Sequence, residues 1–405
     1  MDRHPISPGR EFAAVAVLSL GFGMVGIDRY MISTLFPVIA KDLNLDYAAI
    51  GTITGVLSIA WGLSALFMGK VIDRVGPRPV LFASLMAFGV LLGFSGMAAG
   101  LMGLLVIRIL IGLADGAYAP ASIVATMNVS PPQRRGRNIG LQQMMALLFG
   151  FGVVPLAIPQ LLKVMDWRGV FLLFVIPAIL LAILTWRILP RLAAAPAEAE
   201  QDSGNWRSAL ASGNIRLGMG LMLCWLACLI TLGAFMPSYL TNVLALPIEQ
   251  MGFVMSAIGI GGTIGTVVLP WLSDKIGIKT VMLGGAAVTL LALVALNLAG
   301  NEPLLLFACL FVAIFCVMAL ITLTVGPLVA LSVPHRQMAT ALGLIVATGE
   351  LFGGGVAPIL LGHAADAFGL HHVLYLPVAA IALAFVLASR LDLPQPVATA
   401  APDIA

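Results

Sequence analysis

Long hydrophobic runs, separated by short polar interruptions, fill most of the chain. A helix needs roughly 20 mainly apolar residues to cross the roughly 30 Å hydrocarbon core of a bilayer. Several runs without any Asp, Glu, Lys or Arg fit one crossing, and the longer ones also leave room for a turn. These runs cover residues 169–186, 217–248, 250–273, 280–301 and 303–334.

The apolar runs and the helix breakers between them predict twelve membrane helices. The predicted spans are 12–36, 48–69, 79–98, 102–127, 136–161, 168–189, 216–241, 250–272, 279–299, 303–332, 337–362 and 370–390. The polar segment before the first helix is short and is not followed by a convincing cleavage site, so we interpret that helix as retained rather than as a signal peptide. The sequence thus predicts an all-α membrane protein.

One long polar stretch, from Pro190 to Ser212, interrupts the chain near its middle and is rich in Ala, Pro and Glu. This composition is typical of a flexible linker. We therefore predict an N-terminal six-helix bundle over 1–189, a cytoplasmic linker over 190–215, a C-terminal six-helix bundle over 216–392 and a cytoplasmic tail over 393–405.

Composition supports a lipid-facing exterior, because 60% of the residues are hydrophobic and 10% are charged. Soluble domains carry about 25% charged residues. The basic residues are concentrated in alternate loops, and the positive-inside rule then places both termini and the linker in the cytoplasm. Twelve crossings agree with that placement, and we expect a multi-pass protein of the inner (plasma) membrane. The four cysteines lie within apolar runs, where packing explains them better than metal or redox use.

A ten-residue pattern occurs twice, after predicted helices 2 and 8. The first copy runs from Gly69 to Arg78 and the second from Pro270 to Lys279. Each copy has an Asp, a basic neighbour and a Gly that allows a tight turn. Two related halves are typical of alternating-access carriers. The candidate gating residues are Gly69, Asp73, Arg74, Gly76, Arg78, Asp274 and Lys275, together with Arg108 on helix 4.

The pattern Gly69-x-x-x-Asp73-Arg74-x-Gly76-x-Arg78 resembles the loop signature of the major facilitator superfamily, and Arg108-Ile-Leu-Ile-Gly112 resembles its second motif. The resemblance extends over the whole chain in topology. It implies twelve helices in two pseudo-symmetric six-helix bundles and a transporter rather than an enzyme. No catalytic triad order, phosphate loop or metal-ligand spacing contradicts this, and we expect no cofactor and no metal.

A narrower resemblance is to the anion:cation symporter branch of sugar-acid and organic-anion carriers. It depends on Asp28-Arg29 in helix 1, on Arg108 and Asp115 in helix 4, and on the segments Asp166–Phe171 and Pro237–Leu240. The chain departs from this branch in three places. Gly26 replaces an aromatic residue, the Gly326-Pro327 pair lacks a nearby Trp, and Glu350 stands about where the branch has Asn. The substrate therefore cannot be taken over from the branch.

Five charged residues lie inside apolar helices: Asp28, Arg29, Arg108, Asp115 and Glu350. Each costs about 2.5–3.5 kcal/mol on insertion scales, so such residues face a cavity or pair with one another. Adjacent helical residues point about 100° apart. We therefore expect Arg29 to face the cavity and bind a carboxylate, and Asp28 to face helix 4 and exchange a proton. The alternative is a buried ion pair that only locks helices together.

Asp115 and Glu350 are further candidates for proton coupling. The resemblance implies a titratable carboxyl at Asp115, and the alternative is a structural pair with Arg108 or Arg29. Glu350 lies in a glycine-rich stretch. It could accept hydrogen bonds when neutral, titrate, or bind a cationic part of the substrate, so we place it among the substrate-binding residues as well.

Uncharged candidates for the cavity lining are Tyr30, Trp61, Gln142 and Gln143, for which packing is the alternative. His363 and Asp366, near the end of helix 11, are predicted to form a pair at the membrane interface.

Together these residues predict a proton-coupled symporter for a small organic anion, a carboxylate or sugar acid. Helix 7 has no Arg to partner Arg29, which disfavours phosphorylated substrates. The expected partners are the anion, protons and the lipid bilayer, without nucleic acid, and we expect a monomer. Two alternatives stay open: an exporter of drugs or metabolites that works by proton antiport, and a non-transporting membrane sensor.

Overall fold

The computed structural model of the chain describes residues 8–190, 206–334 and 337–393. Its described part contains twelve helices that are long and apolar enough to cross a membrane. They are α1 (Pro8–Leu43), α2 (Tyr47–Val75), α3 (Pro77–Gly96), α4 (Leu101–Val129), α5 (Pro132–Leu161), α6 (Trp167–Ile188), α7 (Gly213–Val243), α8 (Ile248–Ile276), α9 (Ile278–Leu298), α10 (Pro303–Ser332), α11 (Thr340–Phe368) and α12 (Leu370–Ser389). The twelve predicted helices are thus confirmed.

Several helices extend beyond the predicted spans, because helical hydrogen bonding continues past the apolar run into polar residues at the bundle ends. α1 continues through Lys41 and Asp42 to Leu43. A short helix, Trp206–Ala211, lies inside the predicted linker, and α7 begins soon after it at Gly213. The linker residues 213–215 belong to α7, while 191–205 and the tail from 394 onward lie outside the described residues.

The two copies of the loop pattern end their helices in the same way. Gly76 has φ 80° and Gly277 has φ 91°, values that favour glycine. The Gly76 amide donates to the Ile72 carbonyl at 2.8 Å, and the Gly277 amide donates to the Ser273 carbonyl at 2.9 Å. The tight turn predicted from the glycines is therefore present in both halves of the chain.

Helices α1–α6 form one bundle and α7–α12 the other, and α2 packs on α11 while α5 packs on α8 between them. Small residues allow these backbones to approach closely. A Cβ at Gly362 of α11 would lie 2.8 Å from the Tyr47 carbonyl oxygen of α2, and a Cβ at Gly259 of α8 would overlap the Gly152 backbone of α5. Glycine therefore sets the spacing of the two bundles.

Three of the helices contain π-helical turns: Leu148–Val153 in α5, Tyr239–Val243 in α7 and Gly349–Val356 in α11. Such turns add one residue to a helical turn and are frequent at functional sites. The apolar pattern did not predict them. The turn in α11 carries Glu350, and the turn in α5 packs against α1 and α8.

Candidate functional site

Asp28 and Arg29 are neighbours on α1, and their side chains take separate directions. Asp28 faces α4, where Arg108 Nη1 donates to its Oδ1 at 3.1 Å. Arg108 Nη2 donates to Ser95 Oγ of α3 at 2.7 Å. The side chains of Asp28 and Arg108 are both 0% exposed, so this pair lies wholly inside the N-terminal bundle. The predicted direction of Asp28 is confirmed, while Ser95 was not predicted.

Arg29 instead points between the two bundles. Its Nη2 donates to Glu350 Oε2 of α11 at 2.8 Å and to Ser58 Oγ of α2 at 3.2 Å. The side chains of Arg29 and Glu350 are 12% and 10% exposed, so this pair retains contact with open space that the Asp28–Arg108 pair lacks. Sequence reasoning singled out Arg29 and Glu350 but did not predict their pairing, and it missed Ser58, which has no signal beyond a hydroxyl in an apolar helix.

Two aromatic residues surround the Arg29 guanidinium. Its Cζ lies 5.6 Å from the centre of the Trp61 ring and 6.0 Å from that of Tyr30. The Tyr30 ring also stacks on Phe151 of α5, with 3.6 Å between ring centres. Arg29 is thus held by an acidic group, a hydroxyl and aromatic faces, a setting that suits a planar guanidinium.

A cavity lies beside Arg29 and is bounded by α1, α2 and α7. Its lining residues are Arg29, Tyr30, Ile32, Ser33, Ile53, Thr54, Leu57, Ser58, Ile230 and Ala234. Its volume is only about 10 Å³, so this space must widen before it can hold a sugar acid.

Asp115 on α4 is buried, and neither of its carboxyl oxygens has a hydrogen-bond partner among the described residues. Neither alternative pair, with Arg108 or with Arg29, is formed within hydrogen-bonding distance. The Asp28 Oδ2 atom also lacks a partner in the described part of the chain. Two carboxyl groups with unused oxygen atoms therefore lie inside the N-terminal bundle.

The two glutamines of α5 are not brought to Arg29 by any described contact. Gln142 is buried, and its Oε1 accepts a hydrogen bond from Thr126 of α4 at 2.7 Å. Gln143 is exposed. Their role in binding substrate stays a prediction.

The predicted gating residues lie at the ends of α2 and α8. Gly69, Asp73, Arg74, Asp274 and Lys275 are exposed, and neither aspartate holds an ion pair among the described residues.

Two of the basic gating side chains lie over tryptophans. Arg78 donates to the Trp186 carbonyl of α6, and its Cζ lies 4.4 Å from the centre of that ring. Lys275 Nζ lies 3.8 Å from the centre of the Trp271 ring. The described contacts thus attach these side chains to their own bundle.

α1 begins and α12 ends on one side of the molecule, the side of the termini. Polar contacts join the two bundles on the other side, where α2 begins and α11 ends, and we call it the opposite side. Asp366 of α11 accepts hydrogen bonds from the Tyr47 and Ala48 amides of α2, both at 2.8 Å. The predicted pair of His363 with Asp366 is not formed among the described contacts, and the Asp366 carboxylate accepts instead from the first turn of α2.

Two weaker contacts lie on the same side. Asn242 Nδ2 donates to Tyr47 Oη at 3.2 Å, and Lys163 Nζ lies 3.3 Å from Glu249 Oε1. The bundles are therefore closed against each other on the opposite side.

Among the described residues, no group of three or more His, Cys, Asp or Glu side chains could hold a metal ion. The chemistry of the site consists of the slightly exposed Arg29 guanidinium, carboxyl groups and an apolar wall.

A family model, the Major Facilitator Superfamily, matches residues 18–351. The Sialic acid transporter NanX of Escherichia coli (strain K12) is 26% identical over 387 residues, with 93% of this chain and 92% of that protein covered. The Hexuronate transporter of Bacillus subtilis (strain 168) is 25% identical, with 64% of this chain and 63% of that protein covered.

Solved structures share the fold at lower identity. A bacterial homologue of the human lysosomal transporter Spinster, in an inward-facing and unoccupied conformation, has a TM-score of 0.77 and is 17% identical. The match covers 95% of this chain and 98% of that one.

Proposed function

Because the chain belongs to the Major Facilitator Superfamily, we propose that this transporter is a proton-coupled symporter of a small organic anion that works by alternating access. The substrate class is a carboxylate or sugar acid. Arg29 carries the proposal, because it places a partly exposed guanidinium beside a cavity, between the two bundles. A guanidinium matches the two oxygens of a carboxylate through parallel hydrogen bonds.

The names of the relatives support the same substrate class, since they describe carriers of sialic acid and of hexuronates. Both are carboxylic acids with many hydroxyl groups. The hydroxyls of Ser33, Thr54 and Ser58 line the cavity and offer hydrogen bonds to such a ligand, while Tyr30 and Trp61 offer ring faces.

Asp115 and Asp28 support proton coupling. An ionised carboxylate buried without a partner costs several kcal/mol, so a position such as Asp115 suits a carboxyl that carries a proton. Asp28 keeps one unused oxygen beside its ion pair with Arg108. Protonation of these groups would then change the charge of the N-terminal bundle next to Arg29.

The cycle needs a second state in which the bundles close on the side of the termini. In that state the loops that carry Asp73 and Asp274 would hold this side closed. Both aspartates are exposed here, so they are free to form contacts in the second state. By the distribution of basic residues, this side is the cytoplasm, and the protein acts in the inner membrane as a monomer.

Uptake by purified protein in lipid vesicles tests the proposal. With a pH gradient that is acidic outside, sialic acid and galacturonate are the first probes of a sugar-acid panel, and we expect accumulation of at least one acid. Arg29→Lys should lower uptake by about tenfold or more, since the paired hydrogen bonds are lost. Arg187→Lys, an exposed arginine at the end of α6, is the matched control and should transport normally.

Asp28→Asn is the second variant and should weaken the dependence of uptake on the pH gradient. Full proton-driven uptake by both Arg29→Lys and Asp28→Asn would refute the assignment. Efflux of a loaded compound driven by inward proton flow would favour the exporter, and binding without transport would favour the sensor.

A further inference from the structure

We propose that Glu350 is a built-in competitor for the carboxylate of the substrate. In its ionised form it occupies Arg29, and in its protonated form it releases Arg29 to the substrate, so that one proton enters with each carboxylate. This inference rests on the function proposed above and deepens it, because it adds to Asp28 and Asp115 a coupling group that also selects the substrate.

The geometry places Glu350 where a substrate carboxylate would bind. Its Oε2 accepts from Arg29 Nη2 at 2.8 Å, the same guanidinium that borders the cavity. A Cβ at Gly354 would lie 3.2 Å from that oxygen and 3.3 Å from Ser58 Oγ, so the carboxyl is close to α2 and α11 as well. A substrate that pairs with Arg29 through this nitrogen must displace Glu350.

Charge balance then requires a proton. The Arg29–Glu350 pair is neutral, and a monoanion added to it would bring an uncompensated negative charge into a nearly buried site. Leaving a buried charge unpaired is strongly unfavourable. A proton on Glu350 removes that excess, because the arginine and the substrate carboxylate then form the neutral pair.

The charged and titratable groups near Glu350 come mainly from the N-terminal bundle. Arg29 is its ion-pair partner, and Tyr30 and Asp115 interact electrostatically with that pair. α7, which also packs against this part of α11, presents Met222, Leu223 and Leu226 to its glycines, and α2 presents Ser58.

The pair also joins the two bundles, since Arg29 belongs to α1 and Glu350 to α11, 321 residues apart. Replacing Glu350 by a substrate carboxylate cuts this link and leaves the ligand between the bundles. Protonation, substrate binding and freedom of the bundles to move are thereby combined at one carboxyl group.

The test compares wild-type protein with Glu350→Gln, which keeps the shape of a protonated glutamate, and with Glu302→Gln, an exposed control at the start of α10. Binding of galacturonate and sialic acid is measured between about pH 5.5 and about pH 8. If one proton is taken up with each bound acid, binding weakens about tenfold for each unit by which the pH rises, as long as Glu350 is ionised in the free protein. The slope of log affinity against pH should be smaller by about one in Glu350→Gln, whatever Asp28 and Asp115 contribute, and unchanged in Glu302→Gln.

Two further measurements support the test. The first uses wild-type protein alone and needs no variant, and the second compares wild type with Glu350→Gln and needs no substrate. Wild-type protein in weak buffer should take up protons when galacturonate or sialic acid, adjusted to the pH of the sample, is added. A pH dye measures this uptake. Phenylglyoxal should label Arg29 several-fold faster in Glu350→Gln than in wild type without any acid present, as seen by mass spectrometry. No proton uptake, or equal labelling of Arg29, would overturn the inference.

An unchanged slope in Glu350→Gln would overturn the competitor role and leave organic-anion transport standing. If wild type binds and transports no acid of the panel at any pH, the proposed function fails, and the competitor role fails with it.

Discussion

Two arginine–carboxylate pairs start from adjacent residues of α1 and end in different parts of the molecule. Asp28 pairs with Arg108 inside the N-terminal bundle, and both side chains are 0% exposed. Arg29 pairs with Glu350 across the two bundles, and both remain partly accessible. The first pair can persist while the bundles move as units, whereas the second must break when they separate. The position of a charged pair relative to the bundle interface therefore decides whether the pair must break when the bundles separate.

The largest expected effect comes from breaking the inner pair. Arg108→Leu leaves Asp28 buried without its partner, which should cost about 3–5 kcal/mol of stability. Thermal unfolding of the purified protein measures this. Arg29→Leu also leaves a carboxyl without its partner, but Glu350 keeps 10% of its side chain exposed, so the unfolding temperature should fall less while transport is abolished.

The double variant Asp28→Leu/Arg108→Leu sharpens the contrast. It removes both charges, so its loss of stability should be smaller than the sum of the two single losses. If Arg108→Leu is as stable as Arg29→Leu, the distinction between the two pairs is wrong.

An intermediate effect is expected on the opposite side, where the carboxylate of Asp366 accepts from two amides at the start of α2. The segment Gly362-His-Ala-Ala-Asp366-Ala-Phe-Gly369 matches the spacing of the loop pattern after α2, and Gly369 has φ 95°. Hydrogen bonds to a charged group contribute about 1.5–3 kcal/mol. Asp366→Asn should therefore shift the conformational equilibrium about tenfold or more towards opening on this side.

Spin labels at the exposed positions Asn44 and His371 would report this opening as a longer distance in Asp366→Asn. Asp46→Asn is the matched control. Asp46 accepts from the Ala49 amide at the same helix start, but its partner belongs to its own helix. An equal change in both variants would show that helix capping, and not contact between the bundles, is responsible.

The smallest effect is expected from the ion pair between Lys163 and Glu249, whose side chains are 54% and 45% exposed. Exposed pairs contribute about 0–1 kcal/mol and are screened by salt. Glu249→Gln should change the same label distances slightly, and high salt should remove the difference from wild type. A change in label distance as large as that in Asp366→Asn would contradict this. It would mean that the Lys163–Glu249 pair becomes shielded from solvent in another state of the cycle.

Much of the fold followed from the sequence, because crossing a bilayer imposes a length and a polarity that are visible residue by residue. Apolar runs were sufficient to predict twelve helices, and Gly76 and Gly277 were sufficient to predict two turns. The π-helical turns were not predicted, since an extra residue in one turn leaves no mark in the apolar pattern; the turns in α5 and α11 contain glycines that meet neighbouring helices, and the turn in α7 contains none. The short helix at Trp206–Ala211 was not predicted either, because it lies in a stretch whose composition suggested a linker.

For the site, the sequence identified which charges need an explanation, because an ionised group inside an apolar helix is expensive wherever it points. It also predicted that Asp28 and Arg29 diverge, since adjacent helical residues lie about 100° apart. It could not identify their partners. Arg29 meets Glu350 and Ser58, and Asp366 meets the start of α2, through contacts between helices that are distant in the chain. Only the packing of the two bundles brings these groups within hydrogen-bonding distance, so the tertiary structure decided which charges form pairs.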